Sequence, residues 1–206
     1  PGAGNDGSIG VDFRYSDDDE QYRQRLRAWL KAALPPGRGP ESQEPEDEEE
    51  RIAYRRAWDR KVYEGGYYGI TLPKKYGGQG GTSVQHAIWL EESARANAPM
   101  TLNIIGRNIA APLLLAHGTE AQREHFIPRI TSGEYAFCQG FSEPNSGSDL
   151  ASLRTAARLE GEHFIVNGQK IWTSWAHIAD WCLLLVRTDA DAAKHKGLSF
   201  LLLDIK

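Results

Sequence analysis

The spacing of apolar residues changes character near Glu134, and that change confines the chain to folds in which helices and strands are segregated. Upstream the spacing is helical. Ser16 followed by three aspartates reads as a helix cap, and Tyr22, Leu26, Trp29, Leu30 and Leu34 then recur on one face before Pro35-Pro36-Gly37 stops the helix. The acidic block Glu46 to Glu50 suits the positive end of a second helix carrying Tyr54, Trp58 and Val62, which Gly65-Gly66 ends. A glycine-rich connector over 69–81 precedes a third helix over 83–96, with Val84, Ala87, Ile88 and Leu90 predicted inward. Two further helices are predicted over 102–116 and 120–130, the latter opened by a Thr119/Gln122 capping box. Downstream, apolar or alternating runs over 135–141, 153–159, 163–167, 181–186 and 198–205 are separated by turns such as Asn167-Gly168. The pattern predicts an α+β chain, an N-terminal all-helical domain followed by an incomplete antiparallel β-barrel-like domain. Its expected parts are a flexible leader over 1–15, a helical domain over 16–133 and a β domain over 134–206.

Composition excludes several functions. With 24 basic and 28 acidic side chains among 206 residues the net charge is −4, and the arginines are interleaved with acids, so there is no footprint for nucleic acid. The run Trp181 to Val186 falls far short of the ~20 apolar residues of a membrane helix, so no membrane span is expected. Two cysteines, Cys138 and Cys182, read as buried bystander thiols of a reducing compartment. The six histidines have no ligand spacing, Glu91-Glu92 reads as a solvated helix face, and Lys194-His195-Lys196 as a hairpin turn. Gly2 to Gly7 spells GxGxxG, but no strand precedes it and no helix follows. Walker A, HExxH, GxSxG and CxxC motifs are absent. The glycine-rich start has no signal-peptide pattern, and a beginning at Pro1 hints at a longer natural chain.

Two segments carry chemistry. In Cys138 to Asp149 small and turn-forming residues crowd behind a strand, so the backbone can curl and turn amides and hydroxyls toward one point. In Gly168 to Trp175 an indole and two hydroxyls share a strand end, where a planar group could rest on the ring while a hydroxyl addresses its edge.

Together these segments resemble the flavin site of acyl-CoA dehydrogenases. The family's T/S-E-P-x-x-G-S-D loop, N-G-x-K-x-W-x-T/S strand and A-D pair are matched by Ser142 to Asp149, Asn167 to Ser174 and Ala179-Asp180. Leu72-Pro73, Tyr76-Gly77-Gly78 and His117-Gly118-Thr119 with Gln122 also resemble its helical domain, so the likeness runs from Asp17 onward. The resemblance implies that Gln139, Phe141, Ser142, Gly147, Ser148, Trp172, Thr173 and Ser174 bind FAD. Ser142 would bond the pyrimidine side of the ring, Trp172 pack on it, Ser174 lie near N5, and Ser148 also meet the thioester arm of the substrate. Gln139 stands where an aromatic is often seen, Ser142 for the commoner threonine, and Trp175 for a small or amide residue; these departures bear on substrate shape more than on the cofactor.

The resemblance further implies α,β-dehydrogenation of acyl-CoA thioesters, with an electron-transfer flavoprotein as electron acceptor and a homo- or hetero-oligomeric assembly. It implies a cytoplasmic location, or the mitochondrial matrix in a eukaryote. In the family the general base is a carboxylate of a C-terminal helical bundle, and the chain stops at Lys206 inside the middle β domain, so no residue here is assigned that role. Glu143 and Asp149, the acids nearest the loop, are expected to shape the turn. Two alternatives share these features: a flavin monooxygenase or oxidase of the same fold, and a non-catalytic FAD/acyl-CoA-binding module or subunit.

Overall fold

A computed structural model describes residues 14–34 and 44–206, and these form two compact units. The glycine string at 2–7, most of the leader and most of the 37–45 loop lie outside the described residues.

The first unit pairs α1 (Asp17–Ala33) with the third helix of the chain. Ser16 caps α1 by accepting the Asp19 amide, as the sequence predicts. Two helices follow α1 in order, α2 (Glu48–Glu64) and α3 (Ser83–Arg95), and α3 is the partner of α1. The inward face of α3 differs from expectation: Ile88 and Trp89 are buried with Glu92, whereas Val84, Ala87 and Leu90 are exposed. The cause is electrostatic. Arg23, itself buried on α1, reaches Glu91 at 2.7 Å and Glu92 at 2.6 Å, and Arg27 meets Glu92 at 2.6 Å. Burying Glu92 is tolerable only when it is paired, so α3 is turned to bring that carboxylate to two guanidinium groups. Glu92 is therefore a buried anchor, while Glu91 stays on the solvent-exposed face with Arg23 reaching it from α1.

The second unit holds α2, α4 (Ala111–His117), α5 (Glu120–Ser132) and all strands. Asp47 caps α2, which buries Trp58 and Val62, and Thr119 and Gln122 form the predicted capping box of α5. The helix expected over 102–116 is interrupted. Residues Gly106–Ala110 form a wide π turn in which the Ala111 amide bonds the Gly106 carbonyl, because Pro112 has no N–H to donate and the register opens one residue before it.

The strands are β1 (Phe137–Gly140), β2 (Ala156–Glu160), β3 (His163–Asn167), β4 (Trp181–Arg187) and β5 (Leu198–Asp204). β2/β3 and β4/β5 are antiparallel, as predicted, but β4 runs parallel to β1 along its first half and meets β2 at Ala156↔Arg187. The sheet is mixed and open. The parallel contact arises because the connection between β1 and β4 contains a whole hairpin, which returns the chain in its original direction. Asp180 sets the register: its carboxylate accepts the Ala136 amide at 2.8 Å while its own amide bonds Ala136 O at 2.9 Å.

Residues Cys182 to Val186 are all buried, as in a strand covered on both faces. One face carries Phe137, Trp181 and Leu202 against Phe126, Ile127 and Ile130 of α5 and Leu114 of α4; the other buries Cys138, Cys182, Leu184 and Val186. Cys138 and Cys182 are free thiols opposite each other across β1 and β4. The neighbouring Cys138 sulfur, then burial, pushes the Cys182 thiol up. No helix among the described residues is long and apolar enough to cross a membrane.

Candidate functional site

The 142–149 loop leaves the end of β1 and doubles back at once. Glu143 and Ser146 exchange both backbone hydrogen bonds, at 2.8 and 3.0 Å, and Ser146 Oγ donates toward Asp149 O at 2.9 Å. Glu143 points inward. Its carboxylate accepts the Arg154 and Thr155 amides at 2.7 and 2.8 Å and pairs with Lys170 Nζ at 3.0 Å, with both side chains of the pair buried. Burial pushes the Glu143 carboxyl up, but the donors of Thr155, the Arg154 amide and Lys170 outweigh it and hold the group at about 2.

Lys170 also donates to Phe141 O at 3.0 Å, and the Ile171 amide donates to Ser142 O at 2.9 Å. The loop and the downstream segment, remote in sequence, are thereby joined at three points within two residues of Ser142. As motif letters Glu143 and Lys170 do not reveal that they form a buried ion pair; opposite charges inside two glycine-rich motifs are the signal that could have found it.

Predicted site residues fall into three groups. Gln139 lies on the side of β1 that also carries Phe137, because side chains alternate along a strand, and Phe141 follows directly after the strand. Phe141 meets Phe200 of β5 with ring centroids 5.5 Å apart, and Gln139 is in register with Leu183. Phe200, Leu183 and Leu202 line a groove of about 470 Å³ closed on its other side by Leu113, Leu114 and His117. Gln139 Oε1 is buried without a hydrogen-bond partner, which costs free energy unless a donor is supplied.

Ser142, Gly147 and Ser148 lie on the loop, with Ser142 half-buried and the other two exposed. Trp172, Thr173 and Ser174 follow, not on a strand end as expected but in turns after β3, where the Ser174 amide bonds Trp172 O at 3.1 Å. Trp172 is 83% exposed and has φ +58, a left-handed backbone that bulky side chains seldom adopt, at a cost of roughly 1–3 kcal/mol. The structure brings the loop and the Trp172 segment together through the Glu143–Lys170 pair.

Among the described residues, the hydroxyls of Ser142, Ser148, Thr173 and Ser174 have no protein partner. An uncovered indole and free hydroxyls on two segments fastened to each other form a donor and acceptor set suited to the flat, polar-edged isoalloxazine of a flavin, so the residues fit that group. No cluster of three or more potential metal ligands occurs among the described residues.

The two acids near the loop are placed differently. Glu143 is enclosed as described, and Asp149 meets Lys194 Nζ at 2.6 Å. That contact gives the predicted Lys194–Lys196 hairpin turn a second role, tying the end of the loop to the β4–β5 connection. Arg187 braces the next stretch, donating to Ala151 O at 2.7 Å and Leu153 O at 3.1 Å.

Known proteins match the chain in both of its parts. The acyl-CoA dehydrogenase N-terminal domain matches residues 16–134 and the acyl-CoA dehydrogenase middle domain residues 138–206. Acyl-CoA dehydrogenase IpdE1 of Mycobacterium tuberculosis is 40% identical over 91% of this chain and 49% of its own length. Among solved structures, the ChsE4-ChsE5 complex from Mycobacterium tuberculosis superposes with TM-score 0.76 at 34% identity, covering 94% of this chain and 48% of that one. The Tcur3481-Tcur3483 steroid ACAD superposes with TM-score 0.77 at 32% identity, covering 94% and 49%. The chain thus spans about half the length of the relatives it matches. With both domain matches in order and the motif residues clamped to one another, the chain belongs to the acyl-CoA dehydrogenase family.

Proposed function

We propose that these residues form the flavin-holding part of an FAD-dependent enzyme that dehydrogenates acyl-CoA thioesters between the α and β carbons. The observation that carries this reading is the buried Glu143–Lys170 pair, which fastens the hydroxyl-bearing loop to the segment with the uncovered indole. When bound, FAD supplies the acceptor for the substrate's β-hydride. The chain's own part is to bind and orient: Trp172 offers a stacking plane, Ser142 and Gln139 offer hydrogen-bonding groups, and Ser174 and Ser148 lie exposed for the reacting edge and the thioester arm. Glu143 is enclosed against Lys170 and Asp149 meets Lys194 on the surface, and this reading assigns the base that takes the α-proton to the remainder of a longer chain or to a partner. The domains are proposed as a helical part over 16–133 and a flavin-binding β part over 134–206.

Two structural neighbours named as two-component assemblies support work within an oligomer. A neighbour at 26% identity described as an electron transferring flavoprotein supports a flavin protein of that class as the acceptor of electrons.

The test uses the full-length protein loaded with FAD, an acceptor dye and a panel of acyl-CoAs, beside a chain ending at Lys206. The long form should reduce dye with at least one thioester and the short form should not, since base assistance is commonly worth about 10²–10⁴-fold. Equal turnover would place the base within these residues, and absence of FAD from the full-length protein would remove the flavin reading.

A further inference from the structure

Two of the three non-glycine residues with positive φ among the described residues lie four positions or fewer apart in the Lys170 to Ala179 segment: Trp172 at +58 and Trp175 at +64. A tryptophan takes that backbone only where its surroundings over-determine it. For Trp172 the side chain supplies nothing, since it is almost wholly in solvent. Trp175 is held from several sides. Its carbonyl accepts the Ile178 and Ala179 amides, both at 3.0 Å, and its half-buried ring lies under the Arg55 guanidinium, whose carbon is 5.5 Å from the ring centroid.

Arg55 is itself fixed. Its Nε and a terminal nitrogen reach Glu44 Oε2 at 2.8 and 2.6 Å, while the other oxygen of Glu44 accepts the Met100 amide at 3.2 Å. Two other residues of the same helix reinforce the contact: Arg56 donates to Ile178 O at 3.4 Å, and Glu48, at the start of the helix, lies 3.3 Å from His177 Nε2. The Trp172–Ser174 stretch therefore hangs between two anchors, the Ile171 amide on Ser142 O and the Trp175 ring on α2.

We propose that Arg55 and Trp175 form a latch that sets the conformation of residues 172–174, making both of them positioning residues for the indole and the Ser174 hydroxyl. The proposal deepens the flavin reading and rests on it for what those two groups face. It also gives the second tryptophan a role: a small or amide residue at 175 would take the left-handed backbone easily but would give Arg55 no ring to hold.

The experiment compares the full-length protein with Arg55→Gln, Arg55→Lys and Trp175→Asn. Amide hydrogen exchange is read without FAD, and visible circular dichroism and flavin retention after gel filtration are read with it. Arg55→Gln and Trp175→Asn should each speed exchange about tenfold over 172–179 while leaving α5 and β4 protected as before, since the anchor is local. With FAD, both should change the visible dichroism of the flavin and weaken its retention several-fold, and Arg55→Lys should restore part of each, because an ammonium keeps the charge but not the planar contact. Exchange and dichroism identical to the parent in both variants would overturn the latch, as would an exchange increase spread evenly through α5 and β4. If the parent protein takes up no FAD, the flavin reading fails by itself, and the exchange pattern at 172–179 still decides the latch.

Discussion

Glu143 and Asp59 are buried carboxylates with opposite tuning, and each makes a different demand on pH. Glu143 accepts from the Arg154 and Thr155 amides and Lys170, and its carboxyl is held at about 2, below its ordinary 4.5. Its ionised form therefore stabilises the fold fully above about pH 4.5, and that contribution is lost as pH falls toward 2. Glu143→Gln should lower unfolding stability by about 3 kcal/mol near neutral pH in urea titrations, because Lys170 is left buried without its counter-charge. Asp59, on α2, accepts the Leu102 amide at 3.0 Å, while its other oxygen is buried without a partner. Burial pushes it up to about 6, and the Leu102 amide and the Arg107 and Arg56 charges only partly oppose this. Here the sign reverses. The native state binds a proton that the unfolded chain releases near 4, so stability from this site declines as pH rises from about 4 to about 6 and is flat above. Asp59→Asn keeps an acceptor for the amide and should abolish that decline, on the order of 2–3 kcal/mol, in melts at matched pH values. A slope unchanged in the variant would mean that Asp59 does not titrate there. Trp172 belongs to the same scale: Trp172→Ala in the full-length protein should weaken FAD retention several-fold through a lost stacking contact worth roughly 0.5–1.5 kcal/mol, with little effect on the melting of the FAD-free protein.

The elements were legible to different degrees, for local reasons. Caps are short-range chemistry, so Ser16 and the Thr119/Gln122 box mark the starts of α1 and α5 correctly. Thr119→Ala should cost about 1 kcal/mol, measured by the shift in denaturation midpoint at constant slope. The wide turn at Gly106–Ala110 was hidden because helical spacing continues through it, although Pro112 marks the carbonyl that goes unpaired. For α3, hydropathy alone places Val84, Ala87 and Leu90 inside and Glu92 outside, while the guanidinium groups that reverse this come from α1, more than sixty residues away. Strand direction was likewise hidden: alternation reports which side chains are buried and is blind to whether the neighbour runs parallel, as β1 does beside β4.

At the scale of the molecule, the candidate site is held by contacts of charged side chains between separate segments. Glu143 pairs with Lys170 and Asp149 with Lys194, Asp180 accepts the Ala136 amide, and Arg55 lies over the Trp175 ring. A flavin that binds this arrangement and not the unfolded chain should raise the melting temperature with concentration, by about 2.7 kcal/mol of added stability at a hundredfold excess over Kd. In Glu143→Gln the gain at equal FAD should be smaller, because the loop and the Trp172 segment are no longer fastened. The sequence by itself determined the order of helices and strands, the helix caps and the identity of the loop and indole segments, since each depends on residues within a turn or two of one another. Only the tertiary structure decided which distant charges meet, which face of α3 turns inward, that β4 joins β1 in parallel, and that Trp175 is anchored to α2. Those choices depend on pairing buried charges and polar groups across long stretches of chain, and the partner of a buried charge is selected by three-dimensional proximity and desolvation, which no local pattern of residues records.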